Sequence, residues 1–393
     1  MVEWKELGSL GAFENIGTDK KIIEGEELVT LLNYVDVYHH KHIDASIPQM
    51  VVSASDKKIK DCSVEQGDIF LTPSSETVDD IGHSSVIEET IPNAVYSYHI
   101  MRFRLFDKNM LLSYYINYAF DTDNVKRQIL KKAQGLTRFG LSKDKFASIK
   151  IPIPSHSEVQ RIVRSLDTFN YSIENLKEQI AQRRKQYDYY CDYLLDLEGK
   201  NEKDIHSWGE FCDMIKGDGV QKVDFIEEGY GCIHYGQIYT HYGPFTYTTN
   251  RFISKDVFEK AKKASKGDVV MTDTSENVED ICKSVAYLGE EDIAVSNHAL
   301  IIKHNQNPKF LSYSTLTRSF FNQKRKYAYG VKVTGIKPSH LAQIKIYLPS
   351  FSEQQRIVSI LDTFEASIAN LETQLALREK QYEFYSNKLL TFE

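Results

Sequence analysis

Apolar side chains recur in steps of four and three residues along two long stretches of the chain. The first series runs from Ile162 to Leu197 and the second from Ile357 to Phe392. A spacing of about 3.5 residues is the period of a coiled coil, whereas an ordinary surface helix repeats about every 3.6. Each stretch therefore predicts a helix of about 40 residues, which would be ~60 Å long.

Both predicted helices have a recognisable start. A strand pattern ending in proline precedes each of them, and the segments SEVQ (157–160) and SEQQ (352–355) have the Ser-x-x-Gln form of a capping box. We therefore expect the helices to begin near Ser157 and Ser352.

Two arrangements are open for these helices: each packs on its own domain, or the two pair with each other. Arg183 and Arg378 interrupt the apolar seams at matching positions, where polar residues define the register of a pair at some cost in stability. A seam of about five heptads is longer than one domain can cover, which favours pairing. A two-fold axis perpendicular to the helices would make the pair antiparallel.

An internal repeat supports this pairing. LDTF occurs at 166–169 and again at 361–364, 195 residues later, and GDIFLTPSSETVDDI (67–81) aligns with GDVVMTDTSENVEDI (267–281). The chain is a tandem duplication, and strand patterns such as DIFLT occur beside short helical patterns such as MLLSYYINYAF. We predict an α+β fold with two pseudo-two-fold-related globular domains separated by a long antiparallel two-helix coiled coil. The predicted boundaries are a first domain at 1–154, a long helix at 155–198, a linker at 199–207, a second domain at 208–349 and a second long helix at 350–393.

The composition is that of an ordinary soluble protein with two to three domains. No stretch approaches the roughly 18 apolar residues of a membrane span, and the first residues lack a signal-peptide pattern, so a cytoplasmic protein is expected. The five cysteines are widely spaced and form no CxxC pair. They are expected to be reduced packing residues.

The net charge of −7 conceals two basic segments. From Asn124 to Lys150 there are eight basic residues and one acidic residue, and from Lys309 to Lys345 there are eight basic residues and no acid. Both segments precede the strand that leads into a long helix. A charge run is usually a solvated face, but two runs at matching repeat positions favour the binding of a polyanion at two places.

Aromatic and small polar residues accompany the basic ones, for example in HYGQIYTHYGPFTY (234–247) and NYVDVYHHKH (33–42). Such residues suit stacking, phosphate contacts and hydrogen bonds to base edges. Tyrosine and histidine are also ordinary packing residues, so no single one of them is decisive.

Motifs of catalysis are missing from the sequence. There is no G-x-x-x-x-G-K-[ST] loop, no glycine-rich dinucleotide turn and no Asn-Pro-Pro-aromatic motif, so we predict no catalytic residue and no cofactor. HHKH (39–42) could suggest a metal cluster, but neighbouring side chains of a strand point to opposite faces, which favours a surface loop and no metal site. The carboxylates of TVDDI (77–81) and NVEDI (277–281) suit a structural turn better than a hydrolase pair.

These features together resemble a known family, the specificity subunits of type I restriction-modification systems. The resemblance rests on IPIPSHSEVQRIVRSLDTF with its second copy IYLPSFSEQQRIVSILDTF, on the KQY-bearing helices, and on the TSSE-like motif after Gly-Asp in each half. It covers essentially the whole chain. Val159 stands where the family usually has a second glutamine, and Tyr347 replaces the Pro152 of the first copy.

The resemblance implies that each globular half is a target recognition domain for one half of a bipartite double-stranded DNA site. The long helices would fix the separation of the half-sites and dock two methyltransferase subunits, and restriction (motor-nuclease) subunits would join through the methyltransferase. The chain itself would be non-catalytic. The predicted DNA-binding residues are Lys20, Lys21, Tyr34, His39, His40, Lys41, Ser75, Glu76, Lys131, Lys132, Arg138, Lys222, Tyr235, Tyr239, His241, Tyr242, Ser275, Glu276, Asn277, Lys324, Arg325, Lys326 and Lys332. The residues predicted to contact a partner subunit are Gln160, Arg161, Asp167, Gln355, Arg356 and Asp362.

The alternative is a coiled-coil scaffold that presents two protein-binding domains. It shares the fold and differs in the ligand. Because a protein-binding scaffold gives no reason for two matched basic segments, DNA binding is favoured.

Overall fold

The computed structural model describes residues 2–330 and 333–392 of the chain. They fall into two compact units, Met1–Glu178 with Glu372–Glu393, and Gln179–Leu371. Each unit therefore contains one globular domain, the first half of the long helix that follows it in sequence, and the second half of the other long helix.

The first domain is a mixture of strands and short helices. Its strands are β1 (Glu3–Glu6), β2 (Gly11–Glu14), β3 (Glu27–Leu32), β4 (His42–Ile43), β5 (Met50–Ala54), β6 (Ile69–Leu71), β7 (Ser74–Ser75), β8 (Ser84–Ile87), β9 (Ala94–Tyr96), β10 (Met101–Leu105), β11 (Phe139–Gly140) and β12 (Lys150–Ile153). Its helices are α1 (Tyr34–His39), α2 (Asp56–Asp61), α3 (Met110–Ala119), α4 (Asp123–Lys132) and α5 (Lys143–Ala147). The main sheet has the order β2-β10-β6-β8-β4, and β5-β3-β9 form another sheet. The central strand β6 is buried on both faces, which accounts for its uninterrupted apolar sequence.

The long helix α6 (His156–Leu195) connects this domain to the second one. The strands of the second domain are β13 (Ile205–Ser207), β14 (Cys212–Lys216), β15 (Phe225–Ile226), β16 (Tyr230–Ile233), β17 (Phe245–Thr246), β18 (Phe252–Ile253), β19 (Lys263–Ala264), β20 (Val269–Thr272), β21 (Thr274–Ser275), β22 (Ser284–Tyr287), β23 (Ile293–Val295), β24 (Ala299–His304), β25 (Thr334–Gly335) and β26 (Lys345–Tyr347). Its helices are α7 (Trp208–Phe211), α8 (Tyr235–Thr240), α9 (Lys255–Lys260), α10 (Pro308–Ser314), α11 (Arg318–Tyr327) and α12 (Pro338–Leu341). The second long helix is α13 (Phe351–Leu390).

The duplication extends to the topology of the main sheets. The order β14-β24-β20-β22-β17 of the second domain matches that of the first strand by strand. In both sheets the last strand is parallel to its neighbour, with His42 opposite Val86 and Phe245 opposite Ala286. One other sheet differs: the first domain has the three strands β5-β3-β9, whereas the second has the five strands β15-β18-β16-β23-β19.

In each unit the first half of one long helix packs beside the second half of the other. The ring of Phe169 lies 5.3 Å from that of Tyr385 in the first unit, and Phe364 lies 5.2 Å from Tyr190 in the second. The two contacts occupy equivalent positions in the repeat. This pairing is the antiparallel arrangement that the heptad seams predicted.

The arginines that interrupt the apolar seams find aromatic partners. The Arg378 guanidinium lies 5.7 Å from the centre of the Phe169 ring, and Arg183 lies 5.8 Å from that of Phe364. A cation over an aromatic face is attracted by the ring quadrupole, so these seam positions keep a favourable contact.

The first half of each long helix also packs on its own domain, so both arrangements considered for the helices occur. Ile162 and Leu166 are fully buried in the core of the first domain, and Ile357 and Leu361 are buried in that of the second. Each long helix therefore packs on its own domain near its start and on the other long helix along its apolar seam.

The aspartates of the two LDTF segments take part in this domain contact. Tyr118 donates a hydrogen bond to Asp167 at 2.6 Å, and Tyr313 donates to Asp362 at 2.8 Å. Asp362 also pairs with the Lys309 ammonium at 2.8 Å. Both aspartates are among the residues predicted to contact a partner subunit, and each one helps to dock its helix on the preceding domain.

The helices begin at His156 and Phe351, two residues before the first helical positions that a capping box at Ser157 and Ser352 would give. At α13 the Ser350 hydroxyl accepts the backbone N–H of Glu353 at 3.4 Å, so the capping residue is Ser350 and not Ser352. Gln160 and Gln355, the last residues of the two patterns, therefore do not take part in a capping box.

Candidate nucleic-acid interface

A short hairpin, residues 134–140, follows the basic helix α4 of the first domain. Gly140 N–H donates to the carbonyl of Gln134 at 2.8 Å, and Gln134 N–H donates back at 3.0 Å. Gly135 turns the chain with φ +142°, and a Cβ at this position would lie 1.9 Å from the carbonyl oxygen of Arg138. Only glycine fits such a position. We call this segment hairpin 1.

Hairpin 1 is fixed to the loop that carries the Gly-Asp motif of the first domain. Its strand β11 pairs with β7, and the Arg138 guanidinium lies 3.3 Å from the Ser74 hydroxyl. The loop is closed in turn by the Ser75 hydroxyl, which accepts the Thr77 N–H at 3.4 Å. Arg138 and Ser75, which the sequence offered as separate candidates, are therefore brought together.

The short helix α1 contributes aromatic side chains beside this loop. Asn33 caps the helix by accepting the Val35 N–H at 2.9 Å. Tyr38 donates to the Asp80 carboxylate at 3.2 Å and packs its ring 5.9 Å from that of Tyr34. Burial raises the pKa of Tyr34, and the neighbouring Ser75 opposes this shift. Hairpin 1, the loop 73–80, α1 and His99 are called face 1.

The second domain contains the same construction. Hairpin 2, residues 329–335, is closed by the Tyr329 and Gly335 backbone groups at 3.0 and 2.8 Å, and its strand β25 pairs with β21. Gly330 has φ +105°, and an added Cβ would lie 2.0 Å from the carbonyl oxygen of Val333. Tyr239 of helix α8 donates to the carbonyl of Thr274 on the adjoining loop. Hairpin 2, the loop 273–280, α8 and His298 are called face 2.

One histidine in each face was missed by sequence reasoning. His99 packs on Tyr98 with a ring separation of 3.9 Å, and His298 lies 3.2 Å from the Thr274 hydroxyl and 5.3 Å from the Tyr235 ring. The signal was present as the aligned segments SYHIM and SNHAL, which lead into β10 and β24.

Burial lowers the pKa of His99, and the charges of Lys20 and Arg138 act in the same direction. The ring is therefore neutral at pH 7, with one donor and one acceptor nitrogen. Lys20 and Arg138 are both exposed cations of the first domain.

The predicted DNA-binding residues differ in exposure. Those exposed are Lys20, Lys21, His39, Glu76, Lys131, Arg138, Lys222, His241, Glu276, Asn277, Arg325 and Lys326. Those half-buried are Tyr34, His40, Ser75, Tyr235, Tyr239 and Tyr242. Ser275 is buried, and its hydroxyl accepts the Asn277 N–H at 3.3 Å. Lys332 lies outside the described residues.

Three of the predicted lysines make ion pairs or hydrogen bonds within the protein. The Lys41 ammonium lies 2.7 Å from the Asp121 carboxylate, and that of Lys132 donates to the Ser148 hydroxyl. Lys324 is 5% exposed and occupies a core position of α11. Lys324 is thus buried and Lys41 is paired with a carboxylate, whereas Lys132 is half-buried and bonded to a neutral group.

Replacing Lys324 with methionine should lower the free energy of unfolding by about 2 kcal/mol, because two buried carbonyls lose their donor. The ammonium donates to the carbonyls of Glu279 and Ile281 at 2.8 and 2.6 Å. The slope of log affinity for DNA against log salt should not change. The exposed Lys326 provides the matched variant, since Lys326→Met should reduce that slope by about 1 with little effect on stability. Equal effects of the two variants on the slope would contradict this assignment.

The histidines of HHKH do not converge. His39 ends α1, and His42 lies on β4, where its ring is 2.9 Å from the Tyr118 hydroxyl. Within residues 2–330 and 333–392 no group of three or more His, Cys, Asp or Glu side chains could hold a metal ion.

The predicted partner-binding residues lie at the start of the long helices. Arg161 pairs with Glu158 at 2.6 Å and Arg356 with Glu353 at 2.6 Å, and all four side chains remain at least one-third exposed. Gln355 is exposed and Gln160 half-buried. The two helix starts thus present matching charged pairs to solvent.

The departure of the first copy from the glutamine pair has a structural explanation. Val159 is buried in the core of the first domain, whereas Gln354 at the equivalent position is buried and hydrogen-bonded. Its amide accepts the Asn307 N–H at 3.0 Å and donates to the carbonyl of Pro349 at 2.8 Å. The differing residue faces the domain, while the pairs Glu158–Arg161 and Glu353–Arg356 beside it are alike in both copies.

No helix in the described parts of the chain is both long enough and apolar enough to cross a membrane.

Comparison with known proteins places these faces in context. A family model described as the type I restriction modification DNA specificity domain matches residues 3–183 and again 207–378. A putative type I restriction enzyme specificity subunit of Haemophilus influenzae is 27% identical over 274 residues, which are 66% of this chain and 68% of the relative. The EcoR124I/EcoR124II specificity subunit of Escherichia coli is 27% identical over 271 residues, 63% of this chain and 64% of the relative.

Solved structures show the same fold. The S subunit of a type I restriction-modification system from M. genitalium superposes with a TM-score of 0.56 at 15% identity, covering 100% of this chain and 97% of that one. A chain from a study of complex assembly and conformational transition of the type I R-M system gives a TM-score of 0.56 at 13% identity, with 99% and 97% covered. The fold class predicted from the sequence is thereby confirmed.

Proposed function

Because the chain belongs to the type I restriction modification DNA specificity family, we propose that face 1 and face 2 each recognise one half of a bipartite DNA site. The observation that carries this proposal is the construction of the faces. Two domains that differ in one of their sheets keep the same hairpin, the same Gly-Asp loop and the same tyrosine-bearing helix in one arrangement. Identical construction with different side chains is what two readers of different half-sites require.

Each domain offers groups for both kinds of DNA contact. Exposed cations such as Lys20 and Arg138 in the first domain, and Lys222 and Lys326 in the second, suit phosphate contacts that set orientation. His99 and His298, with the exposed loop residues, suit hydrogen bonds to base edges. The chain is thus the DNA-specificity component of a type I system and carries out no catalysis itself.

The long helices supply the surface for the other subunits of the complex. The matching pairs Arg161–Glu158 and Arg356–Glu353 lie exposed at equivalent helix starts, which supports the docking of two identical methyltransferase subunits. Restriction subunits join through the methyltransferase, and the helices fix the spacer between the half-sites. The whole complex acts on DNA in the cytoplasm. A coiled-coil scaffold for protein ligands is not favoured, because the family model that matches both halves describes DNA specificity.

Exchanging residues 208–345 for the equivalent domain of a relative should change one half of the methylated motif and leave the other half intact. The reason is that face 2 lies wholly within the exchanged segment and face 1 lies wholly outside it. Mapping of methylated adenines in DNA from cells that express the chimaera with its methyltransferase measures the result. A motif altered in both halves, or in neither, would rule out the two-face model.

A further inference from the structure

The tip of hairpin 1 exposes a leucine almost completely. Leu136 is 96% exposed, more than any other large apolar side chain of the described residues. An exposed leucine adds nothing to folding stability through burial. Single exposed apolar residues are common, so the exposure alone assigns no role, and the setting of the side chain decides.

The setting is a turn that backbone hydrogen bonds close and that carries a cation. The backbone bonds between Gln134 and Gly140 close the hairpin, and the turn at Gly135 admits no Cβ. Arg138, which is exposed, follows Leu136 by two residues, and its charge reaches His99. The apolar side chain is therefore held at a place that a polyanion approaches.

The shape of the tip selects one groove of the DNA. Two antiparallel strands lie about 4.8 Å apart, and side chains widen such a ribbon further. The major groove, about 12 Å wide, admits a two-stranded ribbon, whereas the minor groove is only about 6 Å wide. The apolar group that base pairs expose in the major groove is the 5-methyl group of thymine.

We propose that hairpin 1 enters the major groove and that Leu136 packs on a thymine methyl group, so that it selects an A·T pair in the half-site of face 1. The inference rests on the proposed function and adds a specificity-determining residue to it. In the sequence of hairpin 2, Val331 follows Gly330 as Leu136 follows Gly135.

The test uses the full chain with its methyltransferase partner and DNA that carries the genomically mapped site. Each thymine of either strand in the half-site of face 1 is replaced in turn by deoxyuridine, which removes only the methyl group. One replacement should weaken binding by the wild-type protein about three- to fivefold. The same replacement should have no effect on Leu136→Ala, whose affinity for unmodified DNA is already lower by a similar factor.

Two variants keep the interpretation clear. Leu136→Met, which retains an apolar side chain of similar size, should still respond to the methyl group. Leu28→Ala removes another exposed leucine of the same domain and should bind as the wild type does. The proposal is overturned if no deoxyuridine position affects the wild-type protein, or if Leu136→Ala responds as strongly as the wild type. Failure of the proposed function would look different, because the wild-type complex would then not prefer the mapped site over scrambled DNA.

Discussion

Replacing Asp121 with asparagine should lower the free energy of unfolding by about 3 kcal/mol. The Asp121 carboxylate lies 2.7 Å from the Lys41 ammonium, which also donates to the Ser84 hydroxyl at 3.1 Å. The Lys41 side chain is 13% exposed and that of Asp121 is 26% exposed, so asparagine would leave a buried ammonium without its counter-ion. Tyr382 of α13 donates to the same carboxylate, and this link between helix and domain would weaken as well.

Chemical denaturation of the full chain measures this change, and two variants control for it. Glu158→Gln removes one partner of an exposed pair, Arg161–Glu158, and should cost below about 1 kcal/mol. The double variant Lys41→Met with Asp121→Leu replaces both buried charges by apolar groups and should recover most of the loss. If Asp121→Asn proved as mild as Glu158→Gln, the pair would contribute no more than a surface ion pair.

The buried lysines show the limit of assigning DNA contacts from the sequence alone. Lys41 belongs to HHKH, a segment that looks solvent-facing in the sequence. Its ammonium is buried because Asp121, 80 residues later, comes close in the fold. No local sequence pattern indicates a partner at that distance, so the burial of Lys41 is seen only in the tertiary structure.

Lys324 is a different case, since the sequence did contain a signal. At the repeat offset of 195, Phe320 and Lys324 align with Val125 and Ile129 of α4, which are both buried. Residues four apart share one face of a helix, so Lys324 stands at a core position of α11. Alignment of the copies, taken residue by residue, would have removed it from the basic surface.

The long helices were predictable almost in full, because a heptad pattern is a strong periodic signal. The contacts of these helices with the domains were not predictable, because the aspartates of LDTF bond to Tyr118 and Tyr313, about 50 residues away in sequence. The two hairpins were missed although each has the spacing Gly-x-x-x-x-Gly at 135–140 and 330–335. Six residues with few apolar positions carry little periodicity, and only the repeated glycines mark them.

Those glycines allow the sharpest test of face 1. Gly135→Ala should weaken binding to a DNA site by about 100-fold, which corresponds to ~2.7 kcal/mol, because the hairpin can no longer close as it does. The added Cβ would lie 1.9 Å from the Arg138 carbonyl oxygen, and the backbone angle φ of +142° is one that side chains rarely allow. Arg138 and Leu136 would lose their fixed positions.

Gly140→Ala in the same hairpin is the matched control. Its added Cβ would meet the Ser74 Cβ at 3.7 Å, an ordinary contact distance, so binding should change less than about threefold. Competition binding with the methyltransferase partner measures both variants, using sites in which only the half-site of face 1 or only that of face 2 is intact. Gly135→Ala should lose discrimination at the first half-site and keep it at the second. Equal losses from the two glycine variants would contradict the steric explanation, because only position 135 lacks room for a Cβ. Equal losses at both half-sites would show that hairpin 1 does not recognise the first half-site specifically.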